Sequence, residues 1–289
     1  WASRPPPRGA ARPTVVVGGL SLGGAGRTPI VALLASRAAA AGGRIAVVAH
    51  GYGGAAVGAP VHLECPDAPS HGDEAAWLRR VLPAEIRVWV GAERRATVAA
   101  AGAQADLVIV DGGLFDARCP RSVTVAVVDA AGARGVVPAG PLRAPLDVLR
   151  HVDRIWLHKV DEPGARALPM AVDVRSVVRP VAVRGPDGAR LPVSWLRERP
   201  CAVLAAIGRP SSFAATLEAA GARIVARVDR ADHHRFRAAD LRRLPADVAW
   251  LTTAKDAERL PGWPGYVVEV EVEIVTGEPI VAALARGVA

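Results

Sequence analysis

The stretch Gly18-Gly19-Leu20-Ser21-Leu22-Gly23-Gly24-Ala25-Gly26-Arg27-Thr28 follows the apolar run Thr14 to Val17 and leads into a helix beginning at Pro29. A strand that turns through glycines into a helix start leaves several backbone N–H groups facing one spot, where the helix dipole also favours an anion. On this reading the amides of Gly23, Gly24, Ala25, Gly26, Arg27 and Thr28 wrap the phosphates of a nucleotide, Arg27 neutralises them, and the Thr28 hydroxyl ligates Mg2+. The other reading of the same residues is an ordinary glycine-rich turn between strand and helix. Loops of this kind carry lysine where this chain has Arg27, and a planar guanidinium is longer and wider than an ammonium.

Outward from the loop, short β-branched runs alternate with alanine-rich helical stretches. Val15 to Val17, Arg44 to Ala49, Ile86 to Val90, Leu107 to Val110 and Val123 to Val128 read as strands, and Ile30 to Ala41, Glu74 to Val81 and Glu93 to Ala101 as helices. Strands covered on both faces show as continuous apolar runs, so this order predicts a P-loop NTPase-like, doubly wound α/β fold with a mostly parallel sheet. A helix is expected from Pro141 to His151 and a strand over Arg154 to Leu157. Past a boundary near residue 165 the texture changes to short strands, Val172 to Val178, Val181 to Arg184 and Leu191 to Val193, around the turn Gly185-Pro186-Asp187-Gly188. Alternation then resumes with Ala202 to Ala206, a helix over Ser211 to Ala220, Arg223 to Val228, a helix near Ala238 to Leu244, and Val248 to Leu251. The expected organisation is a Pro/Arg-rich linker over 1–13, a nucleotide-binding domain over 14–165, and a smaller α/β unit with a β-hairpin insertion over 166–289.

The 289 residues are 51% hydrophobic and 22% charged, the composition of a folded, water-soluble chain. No run approaches the ~20 apolar residues of a membrane-spanning helix, and no signal peptide is visible. Because the chain opens at Trp1 rather than Met, an upstream segment is expected. The formal net charge of +8 suits nucleic acid, anionic lipid or a phosphorylated substrate. The arginines are dispersed and no basic block is interleaved with aromatics, which argues against nucleic acid. Cys65, Cys119 and Cys201 lie far apart with no CxxC pair, so neither a zinc site nor a disulfide framework is indicated and a reducing compartment fits.

Four further segments carry chemistry. Asp111 ends the strand Leu107 to Val110, where an acid can hold Mg2+ directly or through water; its alternative is a turn or capping aspartate. Asp73, with Glu74, opens a helix and can act as a general base, although acids at that position also simply cap helices. Asp232-His233-His234 sets a carboxylate beside two imidazoles that can orient a base or contact phosphate, or can be a surface loop. Arg143, after the rigid turn Gly140-Pro141, suits an anionic substrate, and Thr252-Thr253-Ala254-Lys255-Asp256, at a strand end, can add contacts to the cleft; either segment alone reads more readily as a surface loop.

In this order the segments resemble the tetraacyldisaccharide 4′-kinase family, from Val15 to about Leu260. The family's G-N-L-T-x-G-G-T-G-K-T-P is similar to Gly18 through Pro29, its R-G-Y-G to His50 through Gly53, and its G-D-E is Gly72-Asp73-Glu74. Its D-D-G-x-Q-H falls on Asp111 through Asp116, its L-P-A-G-P-L-R-E-P on Val137 through Pro145, its D-H-H on Asp232 to His234, and its T-E-K-D on Thr253 to Asp256. The resemblance implies transfer of the γ-phosphate of ATP, with Mg2+, to the 4′-hydroxyl of a lipid A disaccharide precursor at the cytoplasmic face of the bacterial inner membrane. It implies Asp73 as base with His233 or His234 as its orienting partner, Thr28 and Asp111 at Mg2+, Glu74 and Arg143 toward substrate, and partners in a glycolipid and the membrane surface. Family members usually begin with a hydrophobic anchoring helix, expected upstream of this chain. The departures are Arg27 for lysine, Gly112 for the second acid of the D-D pair, Phe115-Asp116 for Gln-His, His50 for arginine and Ala254 for glutamate. They leave two readings standing: an active kinase in which Arg27 stands in for lysine, or a silent relative that binds nucleotide or glycolipid and regulates.

Overall fold

Among the described residues thirteen strands form one hydrogen-bonded sheet, and the glycine loop leaves it near the middle. The computed structural model describes residues 12–55, 58–234, 236, 241, 247–260 and 262–278. Most of the expected linker and most of the helix expected near Ala238 to Leu244 lie outside the described residues. The strands are β1 (Thr14–Gly19), β2 (Ile45–Ala49), β3 (Val61–Leu63), β4 (Arg87–Val90), β5 (Leu107–Asp111), β6 (Val123–Asp129), β7 (Arg154–His158), β8 (Val174–Arg184), β9 (Arg190–Leu191), β10 (Pro200–Ala205), β11 (Arg223–Asp229), β12 (Ala249–Thr253) and β13 (Tyr266–Thr276). They lie in the order β11-β10-β12-β13-β8-β7-β6-β1-β5-β2-β4-β3, with β9 paired to β8. Only the β3–β4, β8–β9 and β8–β13 pairs are antiparallel among the described strands.

The central strands are parallel because helices cover both their faces. Helix α1 (Arg27–Ala40) buries Ile30, Val31, Leu34, Ala35 and Ala38 on one face, against Val15 and Val17 of β1, Val47 of β2 and Ile109 of β5. Helix α4 (Arg94–Gly102) lays Val98 and Ala101 on the opposite face, against Val16, Val48 and Val110. Each large aliphatic side chain removed from water contributes about 1.5–3 kcal/mol. The alternation of apolar Cβ directions along each strand therefore anchors two layers of helix at once. Helix α1 ends where Gly42, at φ 93°, takes the left-handed turn that Ala41 cannot extend.

β1 lies between β5 and β6, neither of which is its neighbour in sequence. Ligands of open α/β sheets gather at such a crossover, outside the carboxyl ends of the strands. Helices α2 (Ala68–His71) and α3 (Asp73–Val81) lead back to β4; α5 (Pro210–Ala219) joins β10 to β11, and α6 (Ala254–Ala257) follows β12.

Three elements differ from expectation. The two short strands expected over 172–184 are one strand, β8, paired along its length with β13; a register shift between Glu269 and Val270 accommodates Pro180. The helix expected from Pro141 to His151 shrinks to a 3₁₀ turn over Leu146–His151, because Pro145 drives the residue before it out of helical conformation. Leu191 closes a two-residue strand rather than opening a three-residue one, and Val193–Arg197 forms a second 3₁₀ turn. The hairpin itself forms, with Val183 opposite Leu191 and Arg184 opposite Arg190.

Candidate active site

The glycine loop runs from the end of β1 to the start of α1 with Gly23, Gly24 and Gly26 all left-handed, at φ 67°, 61° and 74°. Side chains at these positions would be strained. At Gly26 space forbids one as well, since a Cβ would stand 2.4 Å from Cδ2 and 2.5 Å from Nε2 of His158. His158 ends β7 and is fully buried. The indole N–H of Trp156 donates to Ser176 Oγ at 2.6 Å, and Ser176 Oγ lies 2.7 Å from His158 Nδ1. Indole is a donor only, so Ser176 Oγ accepts from Trp156, and the same oxygen holds the His158 ring through Nδ1. Burial, with Lys159 and Arg209 adding, holds His158 well below its ordinary pKa, so the ring is neutral.

Next in sequence, Lys159 has a left-handed backbone at φ 61° and sends its ammonium 3.1 Å from the Gly24 carbonyl and 3.4 Å from Asp129 Oδ2. On the far side of the loop, Gly208 is so close that a Cβ there would stand 2.3 Å from Gly24 N. The loop is thus held between the β7 end and the segment that starts α5.

Thr28, in the first turn of α1, donates from Oγ1 to Asp111 Oδ2 at 2.8 Å. Arg27 Nε lies 3.3 Å from Asp111 Oδ1 and its Nη2 lies 3.7 Å from Glu74 Oε1. Asp111 Oδ1 is buried without a hydrogen-bond partner. Burial pushes the Asp111 carboxyl above its usual range, against Arg27 and the Thr28 hydroxyl, which favour its charge.

Asp73 opens α3 after Gly72, whose backbone at φ 88°, ψ 152° belongs to glycine and whose Cβ would meet the Tyr52 carbonyl at 2.6 Å. Its Oδ2 is 3.1 Å from His233 Nδ1 and 3.2 Å from Arg259 Nε, with Lys255 Nζ at 3.9 Å. Burial opposes the charge, but the hydrogen bond with His233 and the charges of Lys255 and Arg259 bring the Asp73 carboxyl below its ordinary range. Lys255 also bonds Glu74 Oε1 at 3.2 Å. His233 itself is left-handed at φ 59° and packs against Tyr52 with the rings tilted by 57° and centroids 4.7 Å apart. Apart from glycine, only Lys159 and His233 among the described residues have positive φ. Such conformations persist where surrounding structure imposes them, and they gather at functional sites.

Of the sequence candidates, the structure brings together Gly23 to Thr28, Asp111, Asp73, Glu74, Asp232 and His233. His234 meets Phe236 edge-on, centroids 5.0 Å apart. Arg143 is exposed on the rim of both cavities described next. Asp129, His158, Lys159 and Arg259 were not singled out in the sequence. The signal for the first three was their place at the carboxyl ends of apolar strands, the same signal that marks Asp111. Arg259 had no signal beyond following Asp256 by three residues.

Two cavities meet at Arg27, Glu74 and His233. One, of about 260 Å³, is lined by the glycine loop and the apolar side chains of Trp77, Val178, Phe213, Val268 and Val270. The other, of about 690 Å³, is polar and lined by His50, Tyr52, Arg94, Asp111 and Arg118. A glycine loop facing an apolar chamber, with His233, held by the buried Asp73 carboxylate, where a second, polar chamber opens, forms the cleft of a P-loop NTPase-like fold.

A family model described as tetraacyldisaccharide-1-P 4′-kinase matches residues 6–288. The tetraacyldisaccharide 4′-kinase of Anaeromyxobacter dehalogenans strain 2CP-1 is 34% identical over 313 aligned positions, covering 95% of this chain and 81% of that one. That of Azoarcus sp. strain BH72 is 38% identical over 253, covering 84% and 72%. A crystal structure of the "apo" form of LpxK from Aquifex aeolicus in complex with ATP superposes with a TM-score of 0.74 at 20% identity, covering 96% of this chain and 89% of that one, a likeness of fold. The chain belongs to the tetraacyldisaccharide-1-P 4′-kinase family.

Proposed function

We propose that this chain is an active kinase that moves the γ-phosphate of ATP to the 4′-hydroxyl of a tetraacyldisaccharide 1-phosphate, a step of lipid A biosynthesis. The observation that carries the reading is the Asp73–His233 pair, 3.1 Å apart, with His233 lining both cavities and Asp73 buried behind it. Asp73 accepts the hydroxyl proton as the sugar oxygen bonds to phosphorus and the bond from phosphorus to the bridging oxygen of ADP breaks. A carboxylate held below its ordinary pKa is ionised at neutral pH and ready to accept. His233 and Arg259 fix its orientation. The loop amides and Arg27 face the charge that builds on the transferring group, where positioning and neutralisation supply most of the rate.

Thr28 and Asp111 fit Mg2+: the buried Asp111 Oδ1, which makes no hydrogen bond and has Arg27 Nε at 3.3 Å, and the Thr28 hydroxyl on its neighbour are a hard-oxygen pair beside the phosphate loop. Bound there, Mg2+ would supply charge neutralisation at the phosphates. Glu74 and Arg143 line the way to the acceptor. Exposed Leu22 and Val137, both on segments bridged to Leu142 beside Arg143, suit the acyl chains of a glycolipid at a membrane surface. The formal net charge of +8 favours an anionic, inner-leaflet surface. Among the described residues no helix is long and apolar enough to cross a membrane.

A second reading rests on Arg27, whose guanidinium pairs with Asp111 where the metal would sit: a family member that binds nucleotide or glycolipid without turnover. The test is product analysis after incubation with Mg·ATP and acceptor in mixed micelles. A new 31P resonance coupled to H4′ supports the kinase; ATP binding with no new phosphomonoester supports the silent reading.

A further inference from the structure

Lys159 is the buried cation nearest the loop that the phosphotransfer account does not use. Its ammonium is shared between the Gly24 carbonyl at 3.1 Å and Asp129 Oδ2 at 3.4 Å, with Glu162 Oε1 at 3.9 Å. Arg209, at the start of α5, completes a balanced cluster by pairing with the same two acids, at 2.9 Å from Asp129 Oδ1 and in closer contact with Glu162. Two cations and two carboxylates therefore lock the β6 end, the β7 end and the α5 start around the loop. The backbone of Lys159 is left-handed at φ 61°, a conformation that a long side chain adopts only under constraint.

A loop that binds an anion through its N–H groups must keep its carbonyl oxygens out of the anion's space, because a carbonyl turned inward repels phosphate. The Gly24 carbonyl is the one that Lys159 holds, and at a glycine with φ 61° no side chain resists the peptide turning over. We propose that Lys159 is the positioning residue of the phosphate loop: by tethering the Gly24 carbonyl it keeps the loop in its nucleotide-binding form, and through Asp129, Glu162 and Arg209 it ties that form to the α5 side of the cleft. The assignment rests on the nucleotide-binding reading above. Lys159 touches no reacting atom; it acts through Gly24.

The test uses the whole chain with Lys159→Met, and with the charge-balanced double substitution Lys159→Met/Glu162→Gln in case the single variant leaves buried acids unpaired and fails to fold. ADP affinity is measured by calorimetry, loop-amide hydrogen exchange by mass spectrometry, and thermal stability alongside. The expected result is an ADP Kd raised about ten- to a hundredfold, the loss of one hydrogen bond from a charged group. Faster exchange confined to the peptides spanning residues 20–28 and a KM for ATP that rises while the KM for acceptor holds should accompany it. A folded double variant with parental ADP affinity and parental loop exchange overturns the assignment. No ADP binding by the parent chain overturns the nucleotide reading itself, and the assignment with it.

Discussion

The Arg27 guanidinium lies against Gly112: a Cβ built on that glycine would stand 3.5 Å from Arg27 Nη1 and 3.2 Å from Arg94 Nη2. The two departures from the family pattern that bear most on phosphate chemistry are therefore neighbours in the site. A Cβ at 112 would press on Arg94 and sit in ordinary contact with Arg27, and an acid there would draw both guanidinium groups to itself. With glycine there, Arg27 pairs with Asp111 and Glu74.

The coupling is measurable as a double-mutant cycle. Gly112→Asp alone should lower kcat/KM, since it adds a carboxylate between two arginines at φ 87°, where a β-carbon costs about 1–2 kcal/mol. In the Arg27→Lys background the same change should cost less, giving an interaction energy of about 0.5–3 kcal/mol. Additivity of the two changes would separate the positions.

Asp73 titrates below the ordinary carboxylate range, with burial opposing and His233, Lys255 and Arg259 favouring its charge. Its folded pKa is lowered, so its contribution to stability is complete above the unfolded value of about 3.9 and fades as pH falls through the folded value. The acid limb of the kcat/KM profile should accordingly lie below the usual carboxylate range. His233→Ala, which removes the hydrogen bond, should move that limb to higher pH while Asp73→Asn removes it along with about 10²–10⁴ of rate. An acid limb unmoved by His233→Ala would end the pairing role.

Gly26→Ala should cost nucleotide affinity and about 1–2 kcal/mol of stability from φ alone, with more from the contact with His158. Because the ring of His158 is fixed through Ser176 and Trp156, it cannot rotate aside without breaking that chain. Adding His158→Ala should therefore recover part of the thermal stability lost by Gly26→Ala, read by calorimetric unfolding.

Thr28→Ala and Asp111→Asn should each raise the Mg2+ concentration for half-maximal rate, and chelation of divalent ions should abolish transfer. ADP binding measured without Mg2+ should change little in Thr28→Ala, since the loop amides remain. Unaltered Mg2+ dependence in both variants would remove these side chains from the metal.

The sequence makes the central sheet legible because strands such as Ile45–Ala49 and Leu107–Asp111 are buried on both faces and read as unbroken apolar runs. The loop is legible because its left-handed turns need glycine. The β8–β13 pair was less so: Pro180 reads as a strand break until the register shift opposite it is seen, and Tyr266–Thr276 alternates Val with Glu in a stretch with no motif to draw notice. In the site, Asp73, Asp111 and His233 carry motif and position together, whereas Lys159 and Arg259 matter only through contacts with Gly24 and Asp73, and residues 135 and 186 positions away in sequence cannot announce such contacts. The choice between the two histidines likewise waited on the backbone, since the left-handed φ of His233 turns one ring to Asp73 and leaves His234 against Phe236.

The central claim is that this chain transfers phosphate with Asp73 as base and Arg27 in the loop. Its most direct test is single-turnover transfer of labelled γ-phosphate from Mg·ATP to a tetraacyldisaccharide 1-phosphate in micelles, for the parent and for Asp73→Asn. The account predicts acceptor-dependent transfer by the parent that falls about 10²-fold or more in the variant. Parent protein that is folded and ATP-bound yet transfers no label above the Asp73→Asn level would contradict it.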